Sequence, residues 1–484
     1  MRPVLTVEEM RAVDAAAAGA GTPAGVLVER AGTAVANEVE RLAAERWRAG
    51  IYGRHVAVVA GQGNNGNDGR VAARLLGRRG AKVVVLDARR PPERIAGADL
   101  VVDAAFGTGF RGEYLAPLLD DGVPVVAVDV PTGVDAMTGE GRGRPVRADR
   151  TVTFGALKPG LLLGEGRVLS GRVRVEQIGL PLEMVEPSIF LVEDADVARL
   201  LPGRLPEDHK WRSALMVVAG SPGMYGAAAL VALGALRAGA GMVRLGIPGA
   251  DPGRLPVTEA VSKVLPATGF DEPVIEELRR FAALAVGPGV GQGSEVQASV
   301  RRLVSGAGAL PTLVDADGLA ALGSRQQAAA TLGSRQHAAA AVAARSGRAG
   351  DRREAAPVVL TPHDGEFARL AGSAPGVDRL ASVRALASAV GAVVLLKGST
   401  TVVAPPAGEP VLLCTAGSAR LATAGTGDVL SGVIGAFLAR GVPAAEAAAL
   451  GAHVHGRAAS LGFGEGLLAG DLPELVAAVL SARG

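Results

Sequence analysis

Near the C-terminus, Ala422-Thr423-Ala424-Gly425-Thr426-Gly427-Asp428-Val429-Leu430-Ser431-Gly432 sets an aspartate just after a glycine turn that opens an apolar helix. A glycine turn running into a helix aims free backbone amides at one point and forms an anion hole. Asp428, in the first turn of that helix, puts a carboxylate within reach of a phosphate held there. A carboxylate able to take a proton from a hydroxyl beside a held phosphate is what phosphoryl transfer to an alcohol requires.

The N-terminal half carries a different set, placed at the ends of short apolar runs. Asn64-Asn65-Gly66-Asn67-Asp68 follows the first run, Asp103 with Phe106-Gly107-Thr108-Gly109 the third, and Asp129 to Gly133 the fourth. In an open α/β sheet the carboxyl ends of the strands form the rim where ligands bind. Two carboxylates and an asparagine from separate strand ends facing one crevice suit proton transfer on a bound ligand. The plainer alternative, that Asp103 and Asp129 only cap loops, stays open on these features. Lysine use adds a pointer: Lys82, Lys158, Lys210, Lys263 and Lys397 are the only lysines in an arginine-rich chain. Two of them, Lys158 and Lys397, fall inside the polar motifs, where a compact ammonium differs in kind from a guanidinium.

These residues need elements to hold them. Thr6 with Glu9 three residues on forms a capping box before an alanine-rich helix, and a second helix is expected from Ala24 to Arg48. Apolar runs at His55–Ala60, Lys82–Leu86, Ala98–Asp103, Pro124–Asp129 and Thr151–Phe154 then alternate with helical stretches. The first of those stretches is expected to begin near Arg70, after a glycine loop. Strands apolar on both faces and separated by helices indicate a parallel sheet, hence a Rossmann-like domain. Prolines 181, 187, 202 and 206 mark a boundary between about Leu180 and His209. A second α/β series follows. Its strand candidates are Leu215–Ala219, Met242–Ile247, Leu284–Val286, Thr312–Asp315, Pro357–Leu360, Val393–Leu396 and Thr401–Ala404. Helices near Asp428–Arg440 and Ala444–Ser460 close the chain. Between them, Leu322-Gly323-Ser324-Arg325-Gln326 recurs as Leu332-Gly333-Ser334-Arg335-Gln336. Two copies do not make a solenoid, so residues 323–354 read as a low-complexity surface helix followed by a flexible basic loop.

Composition narrows the function classes. With 484 residues, 49% hydrophobic and 20% charged, the chain is long enough for two or three folded domains. A net charge of only +2 and 3% aromatics argue against a nucleic-acid surface. Cys414 is the only cysteine, so neither an internal disulfide nor a cysteine metal cage can form, which fits a cytoplasmic protein. Met1 to Glu9 lacks a basic region followed by an apolar run, so no signal peptide is expected. Ala214 to Leu236 is uncharged but broken by Gly220-Ser221-Pro222-Gly223, so it reads as strand, loop and helix rather than a membrane span.

The motifs carry a family resemblance. Asn64-Asn65-Gly66-Asn67-Asp68-Gly69, Val102 to Gly109, Asp129-Val130-Pro131-Thr132-Gly133-Val134-Asp135 and Lys158-Pro159-Gly160 resemble the NAD(P)H-hydrate epimerase family. The resemblance implies that Asn65, Asp103 and Thr132 hold K+. It makes Asp129 the acid–base residue with Lys158 as second participant. Asn64, Asn65, Gly66, Asn67 and Asp68 line the substrate together with Gly107, Thr108, Gly109, Phe110, Arg111, Gly112 and Glu113. The glycine turn at Gly425–Asp428 resembles the ribokinase-like superfamily. With Gly220 to Ala228, Gly287 to Gly291, Asp315-Ala316-Asp317, Thr361 to Glu366 and Lys397 to Thr401 it resembles the ADP-dependent NAD(P)H-hydrate dehydratase.

That second resemblance implies that Lys397, Gly398, Ser399, Thr400, Thr401 and Gly427 contact the adenine nucleotide. Ala227, Gly289, His363 and Asp428 contact the hydrate, and Asp428 activates its hydroxyl. Three places depart from family habit: Asn67 and Asp364 stand where glycine and proline are usual, and Ser418-Ala419-Arg420 replaces an asparagine-proline approach to the turn. Asparagine at position 67 suits a left-handed turn if one is needed there.

Taken together, the expectation is an α/β chain with a Rossmann-like epimerase domain over 1–195 and a ribokinase-like dehydratase domain over 208–484. Its ligands are NAD(P)H hydrate and ADP as phosphoryl donor, with Mg2+ and K+. Neither nucleic acid nor membrane is a partner, and a homo-oligomer is expected. The alternatives are a ribokinase-like vitamin-precursor kinase with an accessory domain, or a nucleotide-binding module whose N-terminal site is inactive.

Overall fold

Thr6 opens the first helix as the spacing predicts: its hydroxyl accepts from Glu9 N, and the Glu9 carboxylate accepts from Thr6 N. The computed structural model describes residues 1–251, 257–345 and 356–482. Contacts divide the chain into two units, Pro3–Ile189 and Phe190–Gly484, with Met1–Arg2 grouped with the second.

In the N-terminal unit, α1 (Val7–Gly19) and α2 (Ala24–Arg46) precede β1 (His55–Ala60), α3 (Asn64–Arg78), β2 (Lys82–Asp87), β3 (Leu100–Ala104), β4 (Val125–Val128), β5 (Arg150–Phe154) and β6 (Arg172–Glu176). The sheet order is β6-β5-β4-β3-β1-β2, and every pairing is parallel. β3 and β4 are buried along their whole length, as strands covered on both faces must be. All the strand ends that carry polar motifs open on one rim. Thr6, Asp129 and Asp103 are thus held by elements legible in the sequence.

One helix differs from expectation. α3 begins at Asn64, not near Arg70, so the asparagine-rich segment is its first turn and not a loop. Gly66 permits this: a Cβ there would fall 1.9 Å from the Gly61 carbonyl oxygen, so only glycine lets the helix start so close to the end of β1. Asn67 is therefore helical and exposed, and no left-handed backbone is required of it.

In the C-terminal unit the strands used below are β7 (Ala214–Val218), β8 (Met242–Pro248), β9 (Val261–Leu265), β10 (Ala283–Val286), β11 (Thr312–Val314), β12 (Val358–Leu360), β13 (Val393–Leu396), β14 (Thr401–Ala404) and β15 (Val411–Cys414). They lie in the order β15-β14-β13-β12-β11-β10-β7-β8-β9. The sheet is parallel from β9 to β13, and β14 and β15 are added antiparallel. Helices that bear on the site are α4 (Tyr225–Arg237), α5 (Asp317–Leu322), α6 (Arg325–Arg345), α7 (Asp364–Ala371), α8 (Arg379–Val390), α9 (Thr426–Ala439) and α10 (Ala444–Leu461). α9 is buried from Val429 to Ala439, which clamps its first turn against the ends of the sheet strands. Among the described residues no helix is long and apolar enough to cross a membrane.

The low-complexity segment is helical as expected, but not purely a surface element. Arg335 in α6 is 1% exposed and donates to the carbonyls of Val304, Ala307, Leu310 and Ala356. Its expected loop falls within 346–355, outside the described residues.

Candidate functional site

In the N-terminal unit the strand ends and α1–α3 enclose a cavity of about 700 Å³. Asn64, Asn65, Asp68, Gly107 to Arg111, Asp129 and Lys158 line it. Gly66, Asn67, Gly112 and Glu113 are not among its lining residues. For Gly66 and Asn67 the reason is the helix: at 3.6 residues per turn, positions 64, 65 and 68 share the face toward the cavity, and 66 and 67 fall on the other side.

Asp129 directly follows β4 in a left-handed conformation, with φ +64°, one of two non-glycine residues with positive φ among those described. Aspartate tolerates that region better than most side chains. The bend turns its carboxylate toward Lys158, whose Nζ lies 2.6 Å from Asp129 Oδ1. Lys158 is 2% exposed and also donates to Thr153 Oγ1 at 2.8 Å and to the Phe154 carbonyl at 2.9 Å. The Thr153 hydroxyl in turn donates to Asp129 Oδ1 at 2.9 Å. The ammonium is thus fully engaged and aimed at one carboxylate. Asp68 shares the cavity, and burial first, then the negative charge of Asp129, pushes its carboxyl up to about 8. Asp14, on α1 at the edge of the same cavity, is raised mainly by burial and further by Asp129, with Lys158 opposing. Sequence reasoning missed Asp14. No motif surrounds it, and only the approach of α1 to the sheet brings it there.

Behind the cavity wall, Asp103 is buried and pinned by Thr132: Thr132 Oγ1 to Oδ1 at 2.7 Å and Thr132 N to Oδ2 at 2.8 Å. Ala105 N adds a third donor. All three donors are neutral, and burial lifts the Asp103 carboxyl to about 6. Asn65 donates through Nδ2 to the Val128 carbonyl at 2.9 Å, leaving its Oδ1 toward Gly107, where a Cβ would sit 2.9 Å away. A buried carboxylate with only neutral partners and a carboxamide oxygen kept clear by a glycine are each oxygen donors of the kind a hard monovalent cation takes.

In the C-terminal unit the glycine turn has the geometry read from its sequence. Gly425 is the N-cap of α9 at φ +89°, and Asp428 lies in the first turn. Thr426 locks the turn through its hydroxyl, which donates to the carbonyls of Leu421 and Thr423. Beneath it, buried His455 on α10 bonds to the Thr426 backbone, and burial lowers its ring to about 4, so it is neutral. His453 points elsewhere, its Nε2 2.7 Å from Asp194 Oδ1. The two histidines serve different partners, and among the described residues no cluster of histidine, cysteine and carboxylates fits a metal.

Lys397 Nζ lies 2.7 Å from Asp315 Oδ1, and Ser431 Oγ on α9 donates to Asp315 Oδ2 at 2.6 Å. A Cβ on Gly427 would sit 3.5 Å from Lys397 Nζ, so Lys397 and Gly427 do come together. Burial, with the charge of Asp315 next, raises Asp428 to about 6, and Lys397 works against the rise. Ala227 and Gly289 also meet, since a Cβ on Gly289 would lie 2.9 Å from Ala227 Cβ. His363 caps α7 with Nδ1, which accepts from Gly365 N at 3.0 Å, so its Nε2 carries the proton. Asp315 and Ser431 were quoted in motifs without a role. The hydrogen bond between them joins the end of β11 to α9.

A cavity with a lysine-held carboxylate in one unit, and a glycine turn opening a helix with a raised carboxylate in the other, define a two-site α/β chain, Rossmann-like followed by ribokinase-like. Residues 215–480 match the family model described as NAD(P)H-hydrate dehydratase. Residues 24–96 and 88–160 match the one described as YjeF-related protein N-terminus. The bifunctional NAD(P)H-hydrate repair enzyme of Mycobacterium tuberculosis is 38% identical, with 93% of this chain and 92% of that protein aligned. Its counterparts in Moorella thermoacetica (34%, 95% and 92%) and Escherichia coli K12 (33%, 87% and 84%) are similar as well. The chain belongs to the family of bifunctional NAD(P)H-hydrate repair enzymes. Among solved structures, an ADP/ATP-dependent NAD(P)H-hydrate dehydratase from Bacillus subtilis, co-crystallised with ATP/Mg2+, is 30% identical over 60% of this chain and 98% of its own, with a TM-score of 0.47.

Proposed function

We propose that the N-terminal unit interconverts the R and S forms of NAD(P)H hydrate and that the C-terminal unit dehydrates the S form at the expense of ADP. In the first reaction the hydroxyl-bearing carbon next to the ring nitrogen must open or dehydrate and re-form from the other face. That needs one proton moved and returned. Asp129 does this, with Lys158 and Thr153 holding its Oδ1 so that the other oxygen faces the substrate. Asp68, protonated near neutral pH, can donate a hydrogen bond to the substrate rather than repel it. Asn65, Asp103 and Thr132 are the residues that would hold K+, which supplies a fixed positive charge beside the cavity.

In the second reaction the nucleotide lies along Lys397 to Thr401 and Gly427, and the hydrate along Ala227, Gly289 and His363. Asp428 takes the hydroxyl proton as that oxygen attacks the terminal phosphorus of ADP, and AMP leaves. The C–O bond then breaks, phosphate departs, and loss of a proton from the neighbouring carbon restores the ring double bond. The α9 amides and Lys397 stabilise the transferred group. Mg2+ bound with the nucleotide would supply positive charge against its phosphates.

One observation carries the reading: Asp428, raised to about 6, stands in the first turn of α9 next to the Lys397–Asp315–Ser431 chain. The test is recovery of dihydropyridine absorbance from mixed R and S NADPH hydrates with ADP. Recovery beyond the S fraction is expected. Recovery of the S fraction alone removes the epimerase, and no recovery with ADP or ATP returns the C-terminal unit to small-molecule kinases.

A further inference from the structure

Arg379 is the first residue of α8, and its guanidinium makes three contacts. Nη1 lies 3.0 Å from Asp364 Oδ2, Nη2 lies 2.7 Å from Asp364 Oδ1, and Nη2 also reaches the Lys397 carbonyl at 3.3 Å. Asp364 opens α7 directly after His363, and Lys397 directly follows β13 and starts the proposed nucleotide loop. A Cβ on Gly398 would lie 3.2 Å from Arg379 Nη2, so the glycine leaves the space in which the guanidinium lies over that loop. Beneath it the backbone makes a parallel link, Lys397 N to the Pro362 carbonyl at 2.9 Å.

An exposed arginine–aspartate pair by itself contributes little to stability. This one has two features that such pairs lack. The fork is bidentate, which fixes orientation as well as distance. Its third contact is to a backbone carbonyl of the loop that carries Lys397, and only 21% of the arginine side chain is exposed. The chain of contacts continues inward: Lys397 Nζ to Asp315, and Asp315 to Ser431 on the helix that bears Asp428.

We propose that Arg379 is a positioning residue that ties the hydrate-contacting turn at His363 to the nucleotide loop at Lys397, so that filling one subsite readies the other. The inference rests on the dehydratase reading of the C-terminal unit. Its mechanism is geometric. A hydrate seated against His363 fixes Asp364, Asp364 fixes the guanidinium, and the guanidinium holds the Lys397 carbonyl. The ordering cost of the nucleotide loop is then already met when ADP arrives.

The test is steady-state dehydration by the full chain, with S hydrate varied at a series of ADP concentrations. The coupling is read as the ratio of the hydrate KM at low ADP to that at saturating ADP. The unsubstituted chain is expected to show coupling of about fivefold or more. Arg379→Met is expected to bring the ratio to about 1. In that variant KM for both substrates rises more than kcat falls, with Tm unchanged. Arg379→Lys keeps the charge without the fork and recovers only part of the coupling. Asp364→Asn reproduces the loss, and the double variant is no worse than either single one, because both remove the same contact. An Arg379→Met ratio equal to that of the unsubstituted chain, or additive losses in the double variant, overturns the inference while the dehydratase reading stands. An unsubstituted chain without nucleotide-dependent dehydration overturns the reading itself and the inference with it.

Discussion

Lys158 Nζ sits 2.6 Å from Asp129 Oδ1, and the lysine is 2% exposed. A buried ammonium is stable only when its donors are satisfied, and here a carboxylate, a hydroxyl and a carbonyl do so. The same contacts leave it no freedom, so its task is to hold Asp129 and balance its charge. Lys158→Met is therefore expected to lower epimerisation by up to about 10²–10⁴-fold, because Asp129, the proton-transfer group, loses the contact that places it. Dehydration of pure S hydrate should not change, because Lys158 belongs to the N-terminal unit. Separate assays on R and S hydrate check this, and equal losses in both would show misfolding instead of a local role.

Asp428 must be ionised to accept a proton, and its carboxyl is raised to about 6. The kcat/KM of dehydration should accordingly fall as pH drops through about 6 and level off above it. Asp428→Asn should reduce dehydration by about 10²–10⁴-fold at every pH and leave epimerisation untouched. A profile that is flat across pH 6 in the unsubstituted chain would take the proton-accepting role away from Asp428.

Asp68 has the opposite tendency to an ordinary surface aspartate. Burial and Asp129 raise it to about 8 in the folded chain, against an ordinary 3.8. A raised acid is easy to fold around while protonated and costly once it must ionise. Its contribution to stability is therefore whole below about pH 4 and is lost as pH rises through about 8. Asp68→Asn removes that dependence. Its Tm should match the unsubstituted chain at acid pH and exceed it at alkaline pH, by about 2–4 °C for each kcal/mol recovered. Calorimetry across that range is the measurement, and parallel curves would mean that Asp68 is ionised in the fold.

Strand positions were largely legible because buried parallel strands are short continuous apolar runs. His55–Ala60, Val393–Leu396 and Thr401–Ala404 are read to the residue. Arg172–Glu176 escaped notice because Arg-Val-Arg-Val-Glu, an edge strand, alternates charge with valine and has no apolar run to find. Catalytic candidates were legible where they sit in glycine-rich motifs at strand ends. Asp14 and Arg379 were not, since each lies on a helix with no local mark, and only tertiary packing brings it to a site. The start of α3 was misplaced because glycines at 66 and 69 read as loop, whereas they serve close helix–strand packing.

The repeated Leu-Gly-Ser-Arg-Gln shows how far identical local sequence can part in fate. Arg325 is exposed, and Arg335, ten residues on, is 1% exposed with its guanidinium among the carbonyls of Val304, Ala307, Leu310 and Ala356. No carboxylate is among these acceptors, and burial lowers the guanidinium to about 10, still charged at neutral pH. The arginine therefore adds donors to carbonyls around the start of β11; Ala307 and Leu310 also accept from Leu310 N and Thr312 Oγ1, whereas Val304 and Ala356 rely on the guanidinium. Arg335→Met keeps the length and removes the donors. Each carbonyl left unsatisfied costs about 1–3 kcal/mol, so a loss of about 3–5 kcal/mol is expected after partial relaxation. Arg325→Met, at the matching place in the first copy, should stay within about 0.5 kcal/mol. Denaturant unfolding of the two variants side by side decides it: equal, small effects would mean that Arg335 is as dispensable as its twin.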